Sequence, residues 1–171
     1  LSVPSYSTSA ASIPVVNNLV VVADAVFVTR DGEESLIETK QITLEQGDTI
    51  HTSKTGRALI NFFDGSSTHL EPNTEISVDE LSMTKAGSTT IKFTQNKGST
   101  WSRVAKLVDT KSSFNIQTAA AVAVIRGTLI AIDVQEGDGG KKITEVKVFE
   151  GLSDVVANGE TVEVGSGNQT K

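Results

Sequence analysis

An almost wholly apolar segment runs from Thr118 to Val134 and is interrupted in its middle by Arg126-Gly127-Thr128. A long apolar run is typical of a buried segment, and β-branched residues on both sides of a glycine favour two strands joined by a sharp bend over a single helix. An unpaired charge is costly in a low-dielectric interior. We therefore expect Arg126 to lie at a corner, surrounded by carboxylate or carbonyl groups.

This interruption has two interpretations. In the structural one, which we favour, Gly127 permits a positive φ or a close approach of the backbone, while Arg126 and Thr128 tie neighbouring turns together through hydrogen bonds. In the functional one, Arg126 projects from the bend and anchors a partner, since arginine is enriched at interface hot spots.

The rest of the chain consists of short β-type runs separated by glycine, asparagine and aspartate, and no stretch shows a helical stripe over three turns. Turns are predicted at Asp64-Gly65, at Asn158-Gly159 and around Asn96-Lys97-Gly98, because these residue types tolerate positive φ. The segment Val148-Phe-Glu150-Gly151-Leu-Ser-Asp-Val155 also places a small turn between apolar strand ends. The pattern predicts an all-β fold. Similar short strands offset by similar turns are typical of a β-solenoid-like stack, and an antiparallel β-sandwich is the alternative, because it would give the same spacing.

Two segments leave their secondary structure open. Trp101–Val108 is compatible with a short helix, a strand, or a strand that leads into a loop through Asp109–Ser113. Ala119–Val124 has the alanine content of a helix, but its β-branched residues and the following glycine favour an extended conformation.

Length and composition predict one folded domain. The chain has 171 residues, which is enough for an independent core. Residues 1–17, mostly serine, alanine, threonine and proline without charge, read as a linker or disordered arm, and residues 18–171 as the β-domain. Because the first residue is Leu1 rather than methionine, we expect a processed product or a chain without its natural start, with room upstream for a signal peptide or an anchor.

The charge balance argues against two classes of partner. Lysine and arginine number 15 against 21 aspartates and glutamates, a formal net charge of −6. Nucleic acid and anionic membrane surfaces are bound through dense positive charge, so neither is expected as a partner, and a membrane would be reached only through an upstream anchor. The absence of cysteine removes disulfides, thiol nucleophiles and thiolate metal sites.

Residues suited to catalysis or metal binding are not grouped in the sequence. His51 and His69 lie in separate strand-like phrases without a neighbouring carboxylate or a second histidine at ligand spacing, so both read as solvated strand residues. Adjacent carboxylates point to opposite sides of a strand, and no serine stands in a nucleophile motif. We expect no enzyme activity, no cofactor and no metal.

The single tryptophan, Trp101, is a candidate of another kind. It follows a glycine by three residues and stands beside Ser102 and Arg103. A large aromatic residue in a chain with few of them favours a core position. If it is exposed instead, Trp101 and Arg103 form a candidate interface for a protein or a glycan.

Several short sequence motifs, in order along the chain, resemble those of the FecR domain family of bacterial extracytoplasmic proteins. They are Leu44-x-x-Gly47-Asp48-x-Ile50, Ala58-x-Ile60-x-Phe62-x-Asp64-Gly65, Leu70-x-Pro72-Asn73-Thr74, Gly98-x-x-Trp101, Phe114-x-Ile116-x-Thr118, Arg126-Gly127-Thr128 and Val146-x-Val148-x-Glu150-Gly151. Each phrase is weak alone, but together they span roughly Val20 to Val164. The family order also suggests Asp64 and Glu150 as partners of Arg126.

The resemblance implies a β-solenoid-like module outside the cytoplasmic membrane, in the periplasm or at the cell surface. The best known members relay the state of an outer-membrane siderophore receptor to an extracytoplasmic-function sigma factor. This chain shows no cytoplasmic anti-sigma helices, no membrane helix and no appended receptor-contacting subdomain. We therefore expect a non-catalytic protein-interaction or signalling module of the cell envelope, with sigma-factor regulation as one specialisation. A structural or surface-display component and a carbohydrate-binding module are the alternatives.

Overall fold

The computed structural model describes residues 12–107 and 109–170, and within these ranges the chain is all-β, as predicted. The strands are β1 Ser12–Ile13, β2 Asn17–Ala23, β3 Val26–Arg30, β4 Glu33–Leu36, β5 Gln41–Leu44, β6 Thr49–Thr52, β7 Arg57–Asn61, β8 Ser67–Leu70, β9 Glu75–Thr84, β10 Thr89–Arg103, β11 Ser113–Gln117, β12 Val122–Glu136, β13 Lys142–Ala157, β14 Glu160–Gly165 and β15 Asn168–Thr170. The described ranges contain one short 3-10 turn, Asp138–Gly140, and no α-helix.

The three longest strands change partners along their length. Residues 89–97 of β10 pair with β9 and, in part, with β11, whereas residues 98–103 pair with β8 and β12. In the same way β12 pairs with β11 up to Ile125 and with β10 from Leu129. Strand β13 pairs with β15 through Val148 and with β14 from Leu152. Each long strand therefore belongs to two half-sheets.

The half-sheets follow from these pairings. The first consists of β5, β2, β7, β8, the second half of β10, the second half of β12, the first half of β13, and β15. The second consists of β4, β3, β6, β9 with the short β1 paired to its end, the first half of β10, β11, the first half of β12, the second half of β13, and β14. We call the glycines where the long strands cross over, Gly98, Gly127 and Gly151, the switch glycines; all three have positive φ.

The core lies between the two half-sheets. Phe62, which follows β7, packs against Phe93 and Phe114 of the second half-sheet, with ring centroids 6.3 and 5.4 Å away. The buried Gln95 side chain donates from Nε2 to the carbonyl of Ile132 at 3.0 Å, again from one half-sheet to the other. Apolar side chains on alternate positions of facing strands thus share one interior.

This arrangement is an open sheet folded upon itself, consistent with the sandwich alternative. Solenoid-like stacking is not confirmed. A solenoid stacks successive coils with parallel strands, whereas in the described chain only β10 and β11 pair in parallel. The other pairings are antiparallel, as hairpins and folded-back strands require.

Three positions that are predicted to separate strands lie inside continuous strands instead. Arg126–Thr128 does not separate two strands; it is a register shift within β12. Gly98 lies within β10 and Gly151 within β13, so neither ends a strand. In each case the glycine serves a change of direction inside one strand, which local sequence does not distinguish from a turn. Asp64-Gly65 and Asn158-Gly159 do form turns, between β7 and β8 and between β13 and β14.

The segment after Trp101 proves to be a strand that leads into a loop, since β10 ends at Arg103 and residues 104–107 are irregular. The loop is held by Asp109, whose carboxylate accepts hydrogen bonds from Ser88 Oγ at 2.8 Å and from the backbone N–H groups of Lys111 and Ser112 at 2.8 and 2.7 Å. These bonds, the one from Ser88 first, lower the pKa of Asp109. Of the Ala119–Val124 segment, only the part from Val122 onward is a strand.

The amino-terminal boundary stays a prediction, because residues 1–11 of the expected arm lie outside the described residues. Within the described part, Ser12 and Ile13 pair with Thr84 and Met83 of β9, and the buried Asn17 begins β2. The described residues contain no helix with the length and apolar character needed to span a lipid bilayer.

Candidate functional site

Asp48 lies beside Gly47 in the turn between β5 and β6 and forms a clasp with Arg30 of β3. Arg30 donates from Nε to Asp48 Oδ1 at 2.8 Å and from Nη2 to Asp48 Oδ2 at 2.7 Å. Its Nη1 donates to Glu45 Oε1 at 2.8 Å, and Asp48 Oδ2 also accepts the backbone N–H of Glu45 at 2.8 Å. The hydrogen bond to Asp48 raises the pKa of Arg30, so the guanidinium stays charged. The clasp ties Arg30 to the turn between β5 and β6, and the Asp48 side chain within it is buried.

Asp48→Asn is expected to lower the free energy of unfolding by about 2 kcal/mol, because the side chain is only 1% exposed and an amide cannot accept both guanidinium bonds. Urea denaturation measures the change. Glu45→Gln is the matched control, since Glu45 is 58% exposed and its pair with the same arginine is worth about 0.5 kcal/mol or less. Equal effects of the two substitutions would contradict the clasp.

Asp64 and Gly65 hold the β7–β8 turn and connect it to another segment. Asp64 accepts hydrogen bonds from Ser66 N at 2.8 Å and from Ser66 Oγ at 2.9 Å. The hydroxyl of Ser66 in turn accepts the backbone N–H of Ala105 at 2.9 Å, directly after β10. The carboxylate of Asp64 is thus engaged locally.

The motifs Arg126-Gly127-Thr128 and Glu150-Gly151 meet where β12 and β13 change half-sheets. Thr128 Oγ1 donates to the carbonyl of Leu152 at 2.8 Å, and a Cβ on Gly151 would lie 2.7 Å from the carbonyl oxygen of Gly127. The two backbones therefore approach closely at this point. Glu150 is exposed beside it.

The carboxylate or carbonyl groups expected around Arg126 are not present among the described residues. Arg126 is exposed and makes no ion pair with any of them. Neither Asp64 nor Glu150, the two suggested partners, is paired with it. The physical reason is its position: the side chain alternates with buried Ile125 and points outward, so the guanidinium is solvated and needs no buried partner.

The two histidines lie far apart in the pairing scheme. His51 stacks on Phe27 with ring centroids 4.5 Å apart, and its Nδ1 lies 3.2 Å from Glu34 Oε2. This carboxylate neighbour was missed because β4 is brought to it by strand pairing. His69 is exposed on β8. The described residues contain no group of three or more side chains suited to a metal ion.

Trp101 does not fill the core. Its side chain is 40% exposed, while its neighbours Thr100 and Ser102 are buried. Because side chains alternate along a strand, the two small hydroxyl residues take the inward positions and the tryptophan faces solvent. The inward aromatic positions belong to phenylalanines instead.

Trp101 stacks on Phe149, which is 45% exposed, with ring centroids 5.0 Å apart and ring planes 24° apart. The two residues belong to β10 and β13, which are separated by β12. The residue of β12 opposite Trp101 is Ala131. Its small side chain leaves room for the rings to meet across the intervening strand. Phe149 was missed by sequence reasoning, although Lys147 and Phe149 alternate with buried Val146 and Val148 and so share the outward side.

The stacked pair belongs to a continuous outward surface of the first half-sheet. Leu59, His69, Trp101, Ala131 and Lys147 stand opposite one another across five strands. We define the aromatic face as Trp101 and Phe149 with the flanking residues Leu59, His69, Arg103 and Lys147.

A groove runs beside Trp101 on the aromatic face. It has a volume of about 370 Å³ and is lined by Ser67, His69, Glu71, Trp101, Arg103 and Leu129. Arg103 is exposed and makes no ion pair with any residue that the structure describes. The groove thus offers an apolar ring beside a free guanidinium.

The family model of the FecR protein matches residues 48–152. The chain belongs to the FecR family. The matched range of this FecR domain begins at Asp48 of the clasp and includes both rings of the aromatic pair. No curated protein matches the chain.

Solved structures add a likeness in fold. Two crystal structures of a candidate anti-sigma factor from Parabacteroides distasonis, at 1.65 and 2.50 Å resolution, each superpose on the FecR domain with a TM-score of 0.56. Sequence identity is 16% and 17%, and each match covers 71% of this chain. The match covers 52% of the other protein, so the chain spans about half the length of that relative.

Proposed function

We propose that this FecR domain is a non-catalytic protein-interaction module in a bacterial signalling relay. It works outside the cytoplasmic membrane and binds a protein partner through the aromatic face. Membership of the FecR family and the likeness to a candidate anti-sigma factor support a signalling role. Regulation of a sigma factor is the specialised form of this proposal, in which binding at the aromatic face changes the activity of that factor.

The observation that carries the proposal is the exposed Trp101–Phe149 stack. Aromatic and arginine side chains supply a large part of the binding energy at protein interfaces, and they lose little conformational entropy when they are already ordered. Here each ring restricts the rotation of the other, and both rings project from a surface formed by five paired strands. Free Arg103 at the rim suits an acidic group on the partner.

The chemistry of the aromatic face favours binding over catalysis. His69 and Arg103 are exposed, and the acids near them either pair with a cation, as Glu71 does with Arg57 at 3.0 Å, or are exposed, as Glu150 is. General acid–base catalysis needs an acid or base that is held within hydrogen-bond reach of the reacting group. Among the described residues no carboxylate forms a hydrogen bond or ion pair with His69 that would position it, and the carboxylate of Glu71 pairs with Arg57.

The double variant Trp101→Ala/Phe149→Ala is expected to weaken partner binding about tenfold or more, because it removes both rings from the centre of the surface. Tagged wild-type and variant domains are used to capture proteins from envelope extract, and the captured proteins are quantified by mass spectrometry. A protein lost with the double variant is then purified and titrated by calorimetry against both forms.

Leu36→Ala is the matched control, since Leu36 is 49% exposed but lies on the edge strand of the other half-sheet. The proposal holds if a purified partner binds the wild type and the control alike and the double variant weakly. A glycan-array signal that depends on Trp101, without such a protein, would favour carbohydrate binding instead. Concentration-dependent oligomers in sedimentation that the double variant abolishes would favour the structural or surface-display alternative.

A further inference from the structure

A second opening lies between the half-sheets, away from the aromatic face. The groove has a volume of about 630 Å³. Its floor contains Val146 and Val155, which are 2% and 4% exposed, and its walls include Ala121, Val162 and Thr170. We call this groove the mouth. It is the place where the interior of the folded sheet opens to solvent.

Val162 shows that no described residue covers the mouth. It pairs with buried Val155 on β13, and Val164, which shares its side of β14, is 3% exposed. Val162 therefore points toward the interior, yet it is 50% exposed. A β-branched side chain that faces inward from an edge strand favours contact with another apolar group.

The free edge of β14 indicates the conformation of what would cover it. Among the described residues β14 pairs only with β13, so the backbone groups on its other side have no strand partner. A row of free N–H and C=O groups along a strand is completed by an added strand, and a helix cannot satisfy it.

The charges at the rim indicate composition. Lys141 and Lys142 line the mouth and make no ion pair within the described part of the chain, although the whole chain is acidic. Glu160, at the start of β14, also lines the mouth. A bound segment with acidic residues near Lys141 and Lys142 would therefore be favoured.

We propose that β14 and the mouth take up an extended segment of another protein, which adds a strand to the free edge of β14. Every second side chain of this segment is apolar and packs over Val162, and acidic residues lie near Lys141 and Lys142. This peptide site is separate from the aromatic face, and its existence does not depend on the function proposed for that face.

The test selects binders from a phage-displayed library of random peptides of about ten residues, enough to run past β14 at roughly 3.4 Å per residue. We expect enriched peptides to alternate apolar and polar residues and to carry acidic residues. Affinity of a synthetic selected peptide is then measured by fluorescence anisotropy. Val162→Lys is expected to weaken binding about tenfold or more, because it places a charge in an apolar contact.

Thr161→Lys is the matched control, since it adds the same charge to the preceding residue of β14, which lies on the opposite side of the strand. Val162→Thr, which keeps the branched shape, guards against loss of folding in the lysine variant and is expected to weaken binding less. Thermal melting confirms that each variant is folded. Trp101→Ala is expected to leave peptide affinity unchanged.

Three results would overturn the proposal. The first is the absence of an alternating pattern among the selected peptides. The second is equal affinity of the wild type and folded Val162→Lys, or equal weakening by Thr161→Lys. The third is a dimer of the wild type in sedimentation that Val162→Lys dissociates, which would make a second copy of the chain the occupant of the mouth.

Discussion

Gly98→Ala is expected to lower the free energy of unfolding by about 3 kcal/mol or more, one of the two largest effects anticipated for a single substitution. Gly98 has φ +82°, a conformation that alanine adopts only with strain. A Cβ there would also lie 2.6 Å from the carbonyl oxygen of Asn73 and collide with Thr74, including its backbone. Backbone atoms cannot rotate away, so the crossing of β10 between half-sheets must distort.

Gly127→Ala is the control that isolates the steric part of this effect. Gly127 also has positive φ, +63°, but the nearest atom to its Cβ position is Lys106 Cα at 3.4 Å. Only the backbone strain remains, about 1 kcal/mol. Urea denaturation of both variants measures the difference. If the two substitutions cost the same, the close approach at Gly98 does not limit the fold.

The comparison also shows which part of the fold could be predicted. Alternating side chains and turn residues are local signals, and they correctly indicated the all-β class and the turn at Asn158-Gly159. The place where a strand changes partners is not local. Gly98 and Gly151 carry the same turn-like sequence signal as Asn158-Gly159, and only the pairing of distant strands decides that they lie inside strands.

The same limit applies to the candidate site. The size of Trp101 favours a core position. The face of β10 that points to the core is instead the one that carries Thr100 and Ser102, whose buried hydroxyls form hydrogen bonds with Gln95 and Thr68. The partner of Asp48 is equally inaccessible to local sequence reasoning, since Arg30 lies 18 positions away along the chain. Side-chain alternation could have placed Phe149 outward, but its stacking on Trp101 required the register across β12.

Phe114→Ala is expected to lower the free energy of unfolding by about 3 to 5 kcal/mol, because it removes a fully buried ring. Its ring meets those of Phe62 and Phe93 edge-on, at centroid distances of 5.4 and 5.9 Å. The contact with Phe62 joins the two half-sheets, so the resulting cavity weakens the interior on both sides. Chemical denaturation followed by far-ultraviolet circular dichroism measures the loss without relying on the exposed tryptophan.

Phe149→Ala makes the same chemical change on the outside of the sheet and is expected to cost less than about 1 kcal/mol, since that ring is 45% exposed. The pair of variants separates the two roles of aromatic residues in this domain. Phe114 acts on stability, and Phe149 acts on partner binding in a domain that stays folded. If Phe149→Ala destabilised the protein as much as Phe114→Ala, the Trp101–Phe149 stack would be a structural contact. That result would contradict the proposal that the aromatic face is a binding surface.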